Sequence, residues 1–306
     1  MRSPTLALSA LALVVALALA GCSTAPAPSA AASGSTLQVV AAENFWGSIA
    51  AQLGGNKVQV KSIISAPDAD PHSYEATASD GRSMATADLT IVNGVGYDTW
   101  ASKLVTANPT TTRTDLNVGD LVGAKGGDNP HRWYNPDDVN KVADAITAGY
   151  QAKDPANRAY FDQQKAAFTG TALKDYNAAV AGIKTTYSGT PIGASESIVS
   201  MLAPALGLTV LTPPDFLTAI TEGTDPTAAD KATIDGQISS RAIKVYLYNS
   251  QNATPDVQAQ VDAAKAKGIP VSTITETMTP ATASWQDWQT AQLTALKAAL
   301  ARSAAA

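Results

Sequence analysis

Short runs of aliphatic and β-branched residues alternate along this chain with longer segments in which apolar residues recur at helical spacing. The short runs predict strands at 37–42, 58–64, 89–92, 114–118, 191–195, 209–211, 244–248 and 271–274. The segments between them predict helices at 44–53, 77–87, 96–104, 136–151, 197–206, 226–239, 256–267 and 284–301. Strands that alternate with helices are typical of an α/β fold with mostly parallel sheets and helices on both faces.

The alternation stops between residues 155 and 184. An apolar stripe runs through this segment at roughly helical steps, formed by Phe161, Phe168, Leu173, Tyr176, Val180 and Ile183. An unbroken helix of this length would measure about 45 Å. Gly170 leaves a second interpretation open, in which two helices meet at a turn. The pattern predicts two βα lobes, at 37–154 and 187–306, joined by one long helix at 155–186.

The first residues have the pattern of a targeting segment. An apolar run at 6–20 is too short for a comfortable membrane span, which predicts a signal peptide over 1–21. The run ends in Leu19-Ala20-Gly21-Cys22, which resembles the lipobox of bacterial lipoproteins, so Cys22 is the expected lipidation site. The alternatives are an ordinary signal peptide and an uncleaved anchor. Residues 22–36 are uncharged and rich in Ala, Ser and Pro, and they predict a flexible tether.

The composition excludes several kinds of site. A net charge of −5 and an isoelectric point near 5.0 leave no basic surface of the kind that nucleic acid needs. Cys22 is the only cysteine, so the chain can form neither an intramolecular disulfide nor a Cys-based metal site.

Two histidines carry the candidate chemistry, and the chain has no others. His72 and His131 each follow a proline, in loops that come after predicted strands. Glu196 and Glu276 follow strands of the second half in the same way. Ligands of open α/β sheets bind beyond the carboxyl ends of strands, and imidazole with carboxylate is typical of a first-row divalent metal site. The alternatives are two unrelated surface histidines and a Glu196 that only complements a helix N-terminus.

Several motifs, in the right order, make the chain resemble the substrate-binding lipoproteins of zinc/manganese ABC transporters over essentially its whole mature length. They are Ala42-Glu43-Asn44-Phe45-Trp46-Gly47, Asp70-Pro71-His72, Asn93-Gly94-Val95-Gly96-Tyr97-Asp98, Asn129-Pro130-His131-Arg132-Trp133-Tyr134, Tyr248-Asn249-Ser250-Gln251 and Thr275-Glu276-Thr277-Met278. The resemblance implies two lobes on one rigid helix, a metal held between them by His72, His131, Glu196 and Glu276, and no enzymatic activity. It also implies a monomer, lipid-anchored on the extracytoplasmic face of a bacterial membrane, that delivers Mn²⁺ or Zn²⁺ to an ABC permease and its ATPase.

Two departures from the family pattern favour manganese over zinc. The segment 117–129 is short and lacks the His-rich loop of many zinc-binding members, and the third ligand position holds Glu196 where a histidine is common. Two histidines with two monodentate carboxylates suit tetrahedral Zn²⁺, whereas bidentate carboxylates would raise the coordination number to six and suit Mn²⁺.

Four further residues are expected near the ligands. Trp46 and Trp133 either wall the cleft or belong to the core, while Asn249 and Gln251 either donate hydrogen bonds to the ligands or form a turn. Three other functions remain open: a metal-dependent hydrolase, a binding protein for a larger metal chelate or vitamin, and an adhesin whose metal is structural. The hydrolase would have to leave one metal position free for water, and the chain has no His-Glu-x-x-His motif.

Overall fold

A computed structural model describes residues 36–67 and 69–305. The predicted signal peptide, Cys22 and most of the tether lie outside the described residues. The strands are β1 (Leu37–Glu43), β2 (Val58–Ile64), β3 (Leu89–Val92), β4 (Thr114–Asn117), β5 (Pro191–Ala194), β6 (Thr209–Val210), β7 (Val245–Asn249) and β8 (Val271–Ile274). The α-helices are α1 (Asn44–Gly54), α2 (Ala78–Thr86), α3 (Thr99–Ala107), α4 (Val118–Val122), α5 (Pro136–Lys153), α6 (Arg158–Ala167), α7 (Lys174–Tyr187), α8 (Ile198–Leu206), α9 (Pro214–Thr221), α10 (Ala228–Ser239), α11 (Pro255–Ala266) and α12 (Trp285–Ala304). Short 3₁₀ turns cover Gly55–Lys57, Arg132–Tyr134 and Pro155–Asn157.

The strands form two parallel four-stranded sheets with the same topology. The order is β2-β1-β3-β4 in the N-terminal sheet and β6-β5-β7-β8 in the C-terminal sheet. Each sheet with its helices is called a lobe below. This arrangement confirms the predicted α/β fold with two βα lobes. In each sheet the second strand lies on one side of the first strand, and the third and fourth strands lie on its other side. Open α/β sheets bind ligands at this switch point.

Local signals fix the ends of the two histidine loops. After the first loop, Thr77 and Asp80 form a capping box at the start of α2, with a bond of 2.9 Å from Thr77 N to Asp80 Oδ2. After the second loop, Asn135 caps α5 by accepting the backbone N–H of Asp137 at 2.9 Å, and Pro136 fills the first helical position. Thr and Asn are preferred at the N-cap because their side chains accept backbone N–H groups of the first turn. Pro is preferred at the first helical position because the N–H that it lacks would have no partner there.

The helix prediction fails at three places between strands. The helix expected from Gly96 begins instead at Thr99, because Gly94, Val95 and Gly96 all have positive φ angles, which no α-helix accommodates. The short helices α4 and α9 were not predicted. At five and eight residues they carry too little periodicity for the pattern to register.

The segment between the sheets is helical over most of its length but is interrupted once, so it is not the unbroken helix that the stripe predicts. Helices α6 and α7 are joined by a π-helical turn, Phe168–Ala172, closed by a bond of 2.9 Å from Leu173 N to Phe168 O. This turn contains Gly170, the residue that left two helices open as an alternative. A π turn takes one residue more than an α turn. The step of five residues from Phe168 to Leu173 therefore keeps both side chains on the buried face.

The two lobes share one hydrophobic core on the side where the connecting helices lie. A single cluster of buried residues includes Val39 and Ile91 of the N-terminal sheet together with Ile192 and Leu247 of the C-terminal sheet. Helix α1 packs against α12 there, and Gln52 exchanges two amide hydrogen bonds with Gln286, at 3.0 and 2.8 Å. We call this contact the back seam. Nowhere in 36–67 or 69–305 is a helix both long and apolar enough to cross a bilayer.

Two glycines in helices should respond oppositely to alanine. A Cβ at buried Gly54 would stand 1.9 Å from Cγ2 of Val58, whereas a Cβ at the exposed Gly236 would meet no atom of another part of the described chain within 4 Å. We expect Gly54→Ala to lower the free energy of unfolding by about 1–3 kcal/mol. Gly236→Ala should raise it by about 0.5–1 kcal/mol through the lower backbone entropy of the unfolded chain. Denaturant unfolding of both variants tests this, and equal effects of the two changes would contradict it.

Candidate metal centre

The four residues predicted as ligands come together where the lobes face each other. One donor atom from each of His131, Glu196 and Glu276 lies within 4.8 Å of the others. Glu276 Oε1 is 3.7 Å from Nε2 of His131 and 3.9 Å from Nε2 of His72. Two donors come from the N-terminal lobe and two from the C-terminal lobe. Each follows the carboxyl end of a strand, as the parallel topology requires.

His131 is fully buried, and its neighbours determine which nitrogen is free. Its Nδ1 lies 2.9 Å from Oδ1 of Asn129, an atom that only accepts hydrogen bonds, so Nδ1 carries the proton. The Ser197 hydroxyl lies 3.2 Å from the same Nδ1. Nε2 is buried and has no hydrogen-bond partner among the described residues. Its lone pair therefore points into the site and is available to a metal.

Glu196 is held by Asn249 at the end of β7. The Asn249 amide donates to Oε2 of Glu196 at 2.7 Å, and the backbone N–H of Asn249 donates to Oγ of Ser195 at 2.9 Å. Burial, with the neighbouring Glu276 carboxylate as a second cause, raises the pKa of Glu196 to about 8. A buried carboxyl beside a second negative charge keeps its proton at neutral pH.

Glu276 is the charged member of the carboxyl pair. Burial alone would raise its pKa, but the facing His131, and after it His72, lower the pKa below its ordinary value. The backbone N–H of Glu276 donates to Oε1 of Gln251 at 2.8 Å. Its Oε1 is buried without a hydrogen-bond partner in the described structure. The site thus presents an unsatisfied anionic oxygen midway between two imidazoles.

His72 lies on the solvent-exposed side of the cluster. Its side chain is 32% exposed, against 0% for His131, and it borders a cleft of about 410 Å³ that also reaches Glu276 and Glu222. Asp70 shapes the loop by accepting the backbone N–H of His72 at 2.8 Å. The ring packs edge-on against Tyr97, with 4.8 Å between centroids. The cleft beside this imidazole offers an ion a path from solvent to Glu276.

A strained turn supports the His131 loop from behind. Asp98 accepts the backbone N–H groups of Asn93 and Gly94 at 2.6 and 2.8 Å, and the turn places Val95, a β-branched residue, at φ 55°. The Asn93 amide donates to Pro130 O at 2.9 Å, directly before His131. Burial raises the pKa of Asp98 to about 6, and burial next to Asp98 raises the pKa of Glu43 well above its usual range.

The other predicted residues lie around this cluster at different depths. Trp133 is buried, stacks on Phe45 at 3.9 Å and faces His131 at 5.2 Å between centroids. Trp46 is also buried and reaches the site only indirectly, because its indole N–H donates to Asn93 Oδ1 at 3.1 Å. Both tryptophans are core residues that back the His131 loop. Asn249 touches the Glu196 carboxylate itself, while Gln251 holds the backbone of Glu276.

Two residues at the site were not predicted to have a role. Asn129 and Ser197 both contact His131 Nδ1, from opposite lobes. The sequence does carry a signal for Asn129, since an Asn two residues before a loop His can accept that residue's backbone N–H. Nothing in the local sequence around Ser197 indicates that it faces His131.

The donor set fits one divalent ion. Donors of a tetrahedral zinc site with bonds of about 2.0–2.1 Å stand roughly 3.3 Å apart. The separations from Glu276 to the two histidines, 3.7 and 3.9 Å, need only a small contraction, whereas the donor of Glu196 is placed within 4.8 Å of those of His131 and Glu276 and has further to move. The two imidazoles and two carboxyls suit Zn²⁺ or Mn²⁺, and the buried oxygen and nitrogen without partners indicate that the site is built for an ion.

Comparison with known proteins agrees with this architecture. A family model described as ZnuA, zinc-uptake complex component A periplasmic, matches residues 39–299. The manganese ABC transporter substrate-binding lipoprotein PsaA of Streptococcus pneumoniae is 31% identical over 150 residues, which are 45% of this chain and 48% of PsaA. The chain thus spans about half the length of the curated relatives that it matches.

Solved structures share the fold at low sequence identity. A periplasmic metal binding protein from candidatus Liberibacter asiaticus has a TM-score of 0.71 at 18% identity, over 86% of this chain and 99% of the other. A mutant of the laminin-binding adhesin Lmb from Streptococcus agalactiae has a TM-score of 0.70 at 19% identity, over 87% and 99%. Because the family model extends over nearly all of both lobes, the chain belongs to the ZnuA family, the zinc-uptake complex component A periplasmic proteins.

Proposed function

We propose that this protein binds one Mn²⁺ or Zn²⁺ ion through His72, His131, Glu196 and Glu276 and delivers it to an ABC permease for uptake. The observation that carries the proposal is the position of Glu276 Oε1, a buried oxygen without a partner in the described chain and 3.7 and 3.9 Å from the two imidazole nitrogens. The family and the similarity to PsaA, a manganese ABC transporter substrate-binding lipoprotein, support transport of a metal ion.

The residues act in a simple order. Glu276 carries the negative charge that attracts the ion, and His131 offers a preset lone pair, because its other nitrogen is held by Asn129. Glu196 then exchanges its proton for the metal, while Asn249 keeps hold of its second oxygen. His72 completes the site at its exposed side. Capture and release of the ion involve no bond-breaking step, so the protein is not an enzyme.

The setting follows from the same family. We place the protein, as a monomer, on the extracytoplasmic face of a bacterial membrane, anchored through a lipid on Cys22, with a permease and its ATPase as partners. Residues 37–154 and 187–306 are the two lobes and 155–186 connect them. Trp46 and Trp133 support the His131 loop, and Asn249 and Gln251 hold the two carboxylate ligands.

Metal content tests this function. The soluble chain starting after Cys22 is purified without a tag, equilibrated with mixed Mn²⁺ and Zn²⁺ and measured by mass spectrometry beside the double variant His72→Ala, Glu276→Ala. We expect about one metal ion per wild-type chain and none in the variant, because the variant loses one donor from each lobe.

Other outcomes would point to the other functions. Metal retained by the double variant, or none bound by the wild type, would overturn the ligand set and leave the cleft to a larger ligand such as a metal chelate. Hydrolysis of a substrate by the zinc-loaded protein would favour a hydrolase. Loss of cell attachment without loss of metal uptake, on deletion of the gene, would favour an adhesin.

A further inference from the structure

Asn129 uses the two ends of its side-chain amide for two different lobes. Its Oδ1 accepts the backbone N–H of His131 at 3.0 Å and faces His131 Nδ1 at 2.9 Å. Its Nδ2 donates across the cleft to the backbone carbonyl of Ser197 at 2.7 Å, one residue after Glu196. One amide therefore fixes a histidine of the N-terminal lobe and joins it to the carboxylate loop of the C-terminal lobe.

Gln251 also links the two lobes through its side-chain amide, but it belongs to the C-terminal lobe and reaches a loop of the N-terminal lobe. Its Oε1 accepts the backbone N–H groups of Glu276 and Thr277 at 2.8 and 2.9 Å. Its Nε2 donates to Thr277 Oγ1 at 2.8 Å and, across the cleft, to the carbonyl of Pro67 at 2.9 Å, in the loop that leads to His72. This amide belongs to the C-terminal lobe, fixes Glu276 and joins it to the other histidine loop.

The partners of both amides determine the orientation of each group. Each oxygen faces a backbone N–H, which only donates, and each nitrogen faces a carbonyl, which only accepts. A carboxylate of the same shape would keep the contacts with its own ligand loop. It would lose the donor across the cleft and bring two acceptor oxygens within 2.7 Å at Asn129 and 2.9 Å at Gln251.

We propose that Asn129 and Gln251 are paired positioning residues that couple closure of the two lobes to the geometry of the metal ligands. The proposal rests on the metal-binding function above. Each amide makes a ligand loop and the facing lobe move together, so an ion held by both lobes can leave only when these cross-cleft bonds break. Their effect falls on the rate of metal release and leaves the set of ligands unchanged.

The test compares release rates in Asn129→Asp, Gln251→Glu and a matched control, Gln286→Glu. Gln286 also donates an amide N–H to the opposite lobe, but at the back seam, so the control makes the same chemical change away from the ion. Each protein is loaded with Mn²⁺ or Zn²⁺, and dissociation into excess chelator is followed by stopped-flow. We expect one ion per chain throughout, release roughly tenfold faster in each of the first two variants, and a change below about twofold in the control.

Whether release becomes faster or slower distinguishes a loss of positioning from the effect of the added negative charge. A new carboxylate near a divalent cation would by itself attract the ion and slow its release. Slower or unchanged release in both test variants would overturn the proposal, as would equally fast release in Gln286→Glu. Gln251→Met removes both the donor across the cleft and the acceptor of the Glu276 and Thr277 N–H groups, without adding charge. It should also release faster, which decides the case if a charged variant fails to fold. A wild-type protein that binds no metal would instead refute the proposed function.

Discussion

Replacing Glu276 by glutamine weakens metal binding by about a thousandfold, the largest effect that we expect from a single conservative change. The side chain keeps its shape, but the charge that attracts the ion is lost. Glu276 Oε1 stands between Nε2 of His72 and Nε2 of His131, so the change removes the negative charge that lies against both imidazoles. Removing one partner of a buried charge pair typically costs 2–5 kcal/mol, and roughly 4 kcal/mol corresponds to this factor.

The matched control is Glu222→Gln, the same chemical change in an exposed residue that borders the same cleft. Competition with a chelating dye at neutral pH gives both affinities, for which we expect less than about a threefold loss in Glu222→Gln. A loss in the control as large as that in Glu276→Gln would mean that the cleft attracts cations only by its overall charge.

Acidification should release the ion because a proton and the metal compete for Glu196. In the metal-free protein the pKa of Glu196 is about 8, raised by burial and then by Glu276, so this carboxyl is protonated at neutral pH. Coordination needs the carboxylate, and binding below pH 8 therefore expels about one proton. The affinity rises with pH in this range, and a fall of about two pH units below 8 should weaken binding roughly a hundredfold.

Calorimetry in buffers of different ionisation enthalpy counts this proton directly. We expect about one proton released per ion at neutral pH and close to none at a pH well above 8, where Glu196 is already ionised. Binding that is independent of pH and releases no proton would show that Glu196 is charged in the empty site or is not a ligand.

The sequence predicted the central strands well because β1, β3 and β7 are largely buried and form short, dense aliphatic runs. Each of β1 to β8 begins within one residue of its prediction. The histidines were easy to find for a different reason, since the chain contains only His72 and His131. Their convergence with Glu196 and Glu276 followed from topology, because the carboxyl ends of strands in a parallel sheet lie along one edge.

Features that depend on how the lobes face each other could not be predicted. The amide of Asn129 reaches Ser197 through space, and neither residue carries a local sign of the other. The π turn could not be predicted because the step of five residues between Phe168 and Leu173 also fits a break between two helices. Trp46 and Trp133 were ambiguous for a similar reason, since an aromatic residue near a motif can line a cleft or fill the core behind it.

The wide spacing of the ligands along the chain has a thermodynamic consequence. His72, His131, Glu196 and Glu276 belong to four separate segments, and only the folded protein brings them together. An ion that binds the native state alone adds RT ln(1 + [L]/Kd) to the free energy of unfolding, about 1.4 kcal/mol for each tenfold excess of free metal over Kd. On the proposed function, the stability of the native protein therefore rises with the concentration of the free ion that it binds.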